Sequence, residues 1–167
     1  MTLRPLSVWD VDKAVTASEK LDSPIKRIYY ATGDGSDSAS NEIGEIFPRA
    51  NKTMLKQLET SDAIIYGMGS LYTSIVPNLI LRNVGETIAQ RNCPKILLFN
   101  GSVDRETSGM SAADYILAIV DALNRKHTEY AIDFHVSEYV THILTPDGGQ
   151  FIVDDDAIKV AELTRDK

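Results

Sequence analysis

The sequence predicts an α/β fold built in layers around a mostly parallel sheet, and three observations point there. Strand-like and helix-like stretches alternate three times along the chain, the order that produces right-handed crossovers between parallel strands. One strand candidate, Lys95-Ile96-Leu97-Leu98-Phe99, is almost wholly apolar, which implies cover on both of its faces. The length of 167 residues, 43% hydrophobic and 25% charged, provides for one buried core and not for two, so residues 1–167 read as a single domain.

The elements follow in order. Residues 1–23 are weakly patterned, with a short helix expected over Val11 to Leu21 before the Ser23-Pro24 break. Lys26 to Ala31 is β-branched and aromatic enough for a first strand. It runs into GDGSDSASN, residues 33–41, a polar spacer by composition. Asn51 is placed to cap a helix carrying Met54, Leu55 and Leu58 on one face, ended by Thr60-Ser61. Asp62 to Tyr66 reads as a second strand and Lys95 to Phe99 as a third. Between them Pro77 starts a short helix to Leu81 and is expected to hold Val76 extended; a second helix runs from Val84 to Arg91.

After the polar loop NGSVDRETSG, Ser111 and Asp114 form a capping box for a helix to Arg125, with Ala113, Ile116, Leu117, Val120 and Leu123 as its buried stripe. Tyr139 to Leu144 is a fourth strand, and Pro146-Asp147-Gly148-Gly149 is a turn by its chemistry. Phe151 to Val153 reads as a further short strand. Asp154 to Asp156 sit where a last helix begins, an acidic helix start rather than a metal site.

Composition narrows the function classes. A net charge of −7 and a pI near 4.9 argue against nucleic acid and anionic membrane as partners, since both need a positive face. A small phosphate ligand stays open, because backbone N–H groups hold it locally. Cys93 is the lone cysteine, so no internal disulfide forms; an inert thiol and a reducing, cytoplasmic setting are expected. No apolar run reaches the roughly 20 residues of a membrane span. The opening MTLRPLSVWDVDK lacks the order of a secretory signal. His127, His135 and His142 are too scattered for a metal pair, and Trp9 and the tyrosines do not interleave with basic residues.

The informative stretch is GMGSLYTSIVPNL, Gly67 to Leu79, which follows the apolar run Ala63 to Tyr66. It meets no general phosphate motif. A dinucleotide fingerprint needs glycine where Tyr72 stands, the ATPase loop needs Gly-Lys-Ser/Thr, and the nucleophile elbow needs a glycine two residues after its serine. Two readings stand on physical grounds. In one, Gly67 and Gly69 let a phosphate or sugar approach the backbone, with hydroxyls from Ser70, Thr73 and Ser74, at the carboxyl edge where open α/β sheets bind ligands. In the other, the stretch is a structural turn whose Ser and Thr cap the next helix. Asn100 ends the next strand at the same edge, followed by Asp104, Arg105, Glu106 and Thr107. Arg105 is placed either to pair with a phosphate or to form a local salt bridge with its acidic neighbours, and the carboxylates to hold a metal or a ligand hydroxyl.

With Gly85, the strand ending in Asn100 and the run DRETSGMSAADYI, this stretch resembles the C-terminal half of the 2-phospho-lactate transferase and gluconeogenesis-factor family, the CofD-like (UPF0052) proteins. The resemblance covers roughly Pro24 to Arg125. SPIKRIYYATGDG, FPRAN and the short form DRET bring it closest to the uncharacterised eukaryotic-type branch. It implies a Rossmann-like three-layer fold with a nucleotide-bearing ligand across the strand ends. Gly67, Gly69, Ser70, Leu71, Tyr72, Thr73, Ser74, Asn78 and Asn100 would then line the crevice, with Arg105 beside them. Met68 stands where the family usually has proline. The family's N-terminal strand and G-G-G-T-G turn have no counterpart, since no glycine precedes Gly33.

Three functions follow from the resemblance. One is a regulatory binder of a nucleotide or nucleotide sugar, of UDP-sugar or GDP type, in carbon metabolism. Another is a phospholactate-type transferase acting on a nucleotide-diphosphate donor with magnesium (Mg2+). The last is an inactive half-domain whose sheet edge pairs with a second copy, as a homodimer, or with a missing segment.

Overall fold

A computed structural model of the chain describes residues 21, 23–32, 44–127, 133–151 and 159. The expected helix over Val11 to Leu21, the polar loop 33–41, the strand beyond Phe151 and the acidic helix start at Asp154 to Asp156 fall wholly or almost wholly outside these residues.

In chain order, β1 (Tyr30–Ala31) pairs antiparallel with β2 (Glu45–Ile46), and helix α1 (Lys52–Thr60) follows. Strand β3 (Ile64–Tyr66) leads through the glycine stretch into a π turn (Leu71–Ile75), the short helix α2 (Val76–Leu79) and helix α3 (Val84–Ala89). Strand β4 (Lys95–Leu98), helix α4 (Ala112–Leu123), a 3-10 turn (Val136–Glu138) and strand β5 (His142–Leu144) complete the described part. Strands β3, β4 and β5 form a three-stranded parallel sheet in that order, with Tyr66 opposite Leu97 and Leu97 opposite Ile143. This is the α/β class the alternation of elements predicts.

The caps act as their sequence suggests. Asn51 Oδ1 accepts from the Thr53 N–H at 2.8 Å, and Ser111 and Asp114 close a complete capping box at the start of α4. The stripe of α4 is rotated from the expected one. Ala112, Tyr115, Ile116, Ile119, Val120, Ala122 and Leu123 are buried, whereas Leu117 is exposed. The helix is apolar almost all round, so its periodicity alone does not decide which side meets the core.

Other expectations are corrected by hydrogen bonding. Of Lys26 to Ala31 only Tyr30 and Ala31 are strand, because only they find a partner, in Ile46 and Glu45. Val76 is not extended but helical, at φ −55° and ψ −38°. The π turn runs straight into Pro77, and its widened spacing, with the Val76 N–H on the Leu71 carbonyl, carries the chain past a residue that has no N–H to give. Tyr139 and Val140 turn rather than extend, since both N–H groups bond the Val136 carbonyl at 2.9 Å; the ladder begins with the Thr141 N–H on Lys95 O at 2.8 Å.

The core lies on one face of the sheet. Ile64, Tyr66, Leu97 and Phe99 point into a cluster with Leu71, Val76, Val84, Ile88 and Ile116. The burial of β4 alternates instead of covering both faces, with Ile96 and Leu98 half-buried. Their neighbours on that second face, Ile65 and Leu144, are 57% and 54% exposed. The helices among the described residues thus cover one side.

Helix α3 crosses the end of α4 at a close approach that admits only glycine. A Cβ on Gly85 would stand 2.0 Å from the Leu123 carbonyl oxygen, a backbone atom that cannot swing aside. Gly85→Ala is therefore expected to destabilise the fold by about 3 kcal/mol, the upper range for overpacking. Urea denaturation with an unchanged m-value checks this, and a loss below about 0.5 kcal/mol would mean that the two helices separate without cost.

Candidate functional site

The site is built where β3 and β4 end side by side. Because they run parallel, Gly67 and Asn100 emerge at the same carboxyl edge of the sheet. There the Asn100 side chain brackets one residue of the glycine stretch: its Oδ1 accepts from the Gly69 N–H at 3.3 Å and its Nδ2 donates to the Gly69 carbonyl at 3.0 Å. Gly69 itself sits against the next turn, since a Cβ there would lie 3.0 Å from Ser74 Cβ. At Gly67 a Cβ would meet nothing within 4 Å, so its glycine answers to no neighbour in the chain.

The second clamp is Glu106. Its Oε2 accepts from the backbone N–H groups of Tyr72 and Thr73 at 2.9 and 3.1 Å, and its Oε1 accepts from the Thr73 hydroxyl in a short hydrogen bond. The amides that a phosphate cradle would offer at the start of the π turn are thus filled by a carboxylate of the same chain. Asp104 is engaged in a similar way: its Oδ1 accepts from the Glu106 N–H, the Thr107 N–H and the Thr107 hydroxyl at 2.9 to 3.1 Å. Thr107 is accordingly one of the few buried polar residues, at 3% exposure. The sequence offers Glu106 as a salt-bridge partner of Arg105 or as a carboxylate for a metal or a ligand hydroxyl; its reach across 34 positions of sequence to Tyr72 has no local signal.

Arg105 stands between these two carboxylates in sequence without pairing with either. Among the described residues its guanidinium makes no ion pair and no hydrogen bond, so the local salt bridge is not formed. The Ser70 and Ser74 hydroxyls likewise make no hydrogen bond among the described residues. Asn78 donates back to the Ser74 carbonyl at 2.8 Å, holding its own helix turn. Leu71 is fully buried and anchors the loop in the core. Tyr72 presents its backbone to Glu106, while its half-buried ring lines a separate cleft beside α4. The structure therefore brings Gly67, Gly69, Ser70, Thr73, Ser74 and Asn100 to one edge, with Arg105 in the loop that follows Asn100, and turns Leu71 and the ring of Tyr72 elsewhere.

A resident cation does not fit this edge. Both Glu106 oxygens and one Asp104 oxygen are occupied by the chain's own donors. Among the described residues no group of three or more His, Cys, Asp or Glu side chains converges to hold a metal. The histidines have separate neighbours: His127 lies tilted against Phe47 with ring centroids 5.1 Å apart, His135 meets Ser137 at 3.2 Å, and His142 is exposed on β5.

Comparison with known proteins agrees with this architecture. The model of the family described as 2-phospho-L-lactate transferase CofD matches residues 8–163, wider at both ends than the motif-bearing stretch. The uncharacterized protein YNL011C of Saccharomyces cerevisiae is 30% identical over 83% of this chain and 32% of its own length. The gluconeogenesis factor of Halalkalibacterium halodurans is 36% identical over 54% of this chain and 30% of its own, and a putative gluconeogenesis factor of Nostoc sp. is 37% identical over 53% and 20%. A crystal structure of a UPF0052 family member from Bacillus halodurans superposes with a TM-score of 0.52 at 27% identity, over 66% of this chain and 37% of that one. The chain spans about a third or less of the curated relatives it matches. On the family match across most of its length, the chain belongs to the CofD family.

Proposed function

We propose that this chain supplies part of a binding site for a nucleoside diphosphate or nucleotide sugar at the carboxyl edge of its parallel sheet, and that the role is regulatory. The observation that carries the reading is Arg105. A guanidinium flanked by two carboxylates ordinarily pairs with one of them; among the described residues Arg105 pairs with neither, while its sequence neighbour Glu106 reaches the glycine loop, where the Ser70 and Ser74 hydroxyls make no hydrogen bond. Such a group suits a diphosphate, which takes paired N–H donors from arginine. Glu106 and Asn100 are positioning residues in this scheme, holding the loop from behind. The relatives named as gluconeogenesis factors support the regulatory sense, and the lone Cys93 fits a cytoplasmic setting.

A second reading is favoured by the description of the family model, which names a transferase. On that reading the loop holds a nucleotide-diphosphate donor, and Arg105 stabilises charge developing on its phosphates. The magnesium such chemistry uses would come with the ligand or from residues outside those described, because both Glu106 oxygens and one Asp104 oxygen are occupied and no group of three acidic, His or Cys side chains converges among the described residues.

Thermal unfolding with GDP, UDP and a UDP-sugar, each with and without magnesium, separates these readings. Binding at a hundredfold excess over Kd stabilises by about 2.7 kcal/mol, a shift of several degrees. Arg105→Ala is expected to abolish that shift while leaving the unliganded midpoint in place. A wild-type midpoint that no nucleotide moves would overturn the proposal, and turnover of a phospholactyl donor would replace it with the second reading. Glu106→Ala strands the Tyr72 and Thr73 amides and is expected to cost about 2 kcal/mol together with most of the ligand response. A stronger response in that variant would show that the carboxylate competes with the ligand instead of positioning the loop.

A further inference from the structure

The outer side of α4 carries Asp114, Leu117, Ala118, Asp121, Ala122 and Arg125 at helical spacing, and they form one wall of a cleft of about 260 Å³. At 1.5 Å per residue this wall is about 16 Å long. The opposite wall is Lys26 to Ile28 at the Arg125 end, fixed there by the Arg125 guanidinium donating to the Ile28 carbonyl at 2.6 Å. Tyr72, Val76 and Met110 complete it toward Asp114.

The cleft is bipolar. One end gathers Lys26, Arg27 and Arg125, of which Arg27 and Arg125 share the single carboxylate of Glu45. The other holds Asp114, tied up in its capping box, and Asp121 lies between, one helical turn before Arg125 and close enough to act on its charge. Among the described residues the Lys26 ammonium, the Asp121 carboxylate and the Tyr72 hydroxyl make no hydrogen bond or ion pair within the chain. Burial first, and then Asp121, Asp114 and Glu106, push the Tyr72 phenol above its ordinary value, so it meets a ligand as a neutral hydroxyl. Between the charged ends the floor is apolar, from Val76 and Ala118, and half-open Leu117.

We propose that this cleft is a second binding site, distinct from the glycine-loop edge, and that it takes a phosphorylated monosaccharide. The phosphate lies against Lys26 and Arg27 beside Arg125, the ring hydroxyls donate to Asp121 and meet the Tyr72 hydroxyl, and the C–H face of the sugar rests on the apolar floor. Charge selects the class. A bare phosphate would leave Asp121 and the Tyr72 hydroxyl unused, and an unphosphorylated sugar would leave the Lys26 ammonium without a counter-charge. Tyr72 joins the two sites, its amide held by Glu106 at the loop and its ring in the cleft.

This inference stands apart from the nucleotide reading, and one titration distinguishes them. Glucose 6-phosphate, glucose and inorganic phosphate are titrated by calorimetry into the chain and into Lys26→Glu, Asp121→Asn and Arg105→Ala variants. All three side chains reach solvent, and circular dichroism verifies folding. Glucose 6-phosphate is expected to bind at least about tenfold more tightly than either fragment. Lys26→Glu and Asp121→Asn should each weaken it about tenfold, the loss of one charge-assisted contact, and Arg105→Ala should leave it unchanged. Equal binding of inorganic phosphate would reduce the cleft to an anion patch, loss confined to Arg105→Ala would move the ligand to the glycine loop, and no heat at millimolar ligand would remove the site; each overturns the proposal.

Discussion

The parallel pairing of β3 with β4 is the constraint on which the rest of the site depends. With Tyr66 opposite Leu97, the two strands finish within a residue or so of each other at one edge, so the segments that follow them are neighbours whatever their distance in sequence. An antiparallel pair would send Gly67 and Asn100 to opposite ends. The same register lets the Tyr66 hydroxyl donate to the Tyr139 carbonyl at 2.8 Å inside the core, which ties the end of β3 to the turn that feeds β5. Burial raises the pKa of that phenol far above its ordinary value, so the proton needed for the bond is always there.

From that edge the loops are assembled by carboxylates and an amide rather than by burial. Asn100 holds Gly69 from both its N–H and its carbonyl, and Glu106 holds the next turn through two amides and a hydroxyl. A charged acceptor taking several N–H donors is worth more than a neutral one. With Glu106 and Asp104 bonded to the chain's own donors, Arg105 makes no ion pair among the described residues of this acidic chain, at net charge −7. In the cleft beside α4, Lys26 and Asp121 likewise make no hydrogen bond or ion pair among the described residues.

Much of this was legible where the cause is local. Asn51 and the Ser111–Asp114 box cap their helices because a side-chain acceptor within three residues of an orphan N–H needs nothing else. The stretch from Gly67 to Asn78 marked a loop at a strand end, and the family pattern it carries is confirmed by the match over residues 8–163. The misreadings share one cause. Val76 before Pro77 is helical because a π turn precedes it, and Tyr139 and Val140 turn because Val136 accepts both their N–H groups; each is a choice among hydrogen-bond partners that local propensity does not rank.

The sequence by itself determined the α/β class, the places where helices begin, and the loop on which the site is built, because periodicity, caps and glycine spacing act over a few residues. Only the tertiary structure decided which side of α4 meets the core, that Glu106 fills the amides of Tyr72 and Thr73, that Arg105 is left unpaired, and that the ring of Tyr72 belongs to a different cleft from its backbone. Those outcomes depend on contacts between residues more than 30 positions apart, such as Tyr72 with Glu106 at 34. Such contacts exist only after the parallel strands have set their register, and no local pattern of letters encodes them.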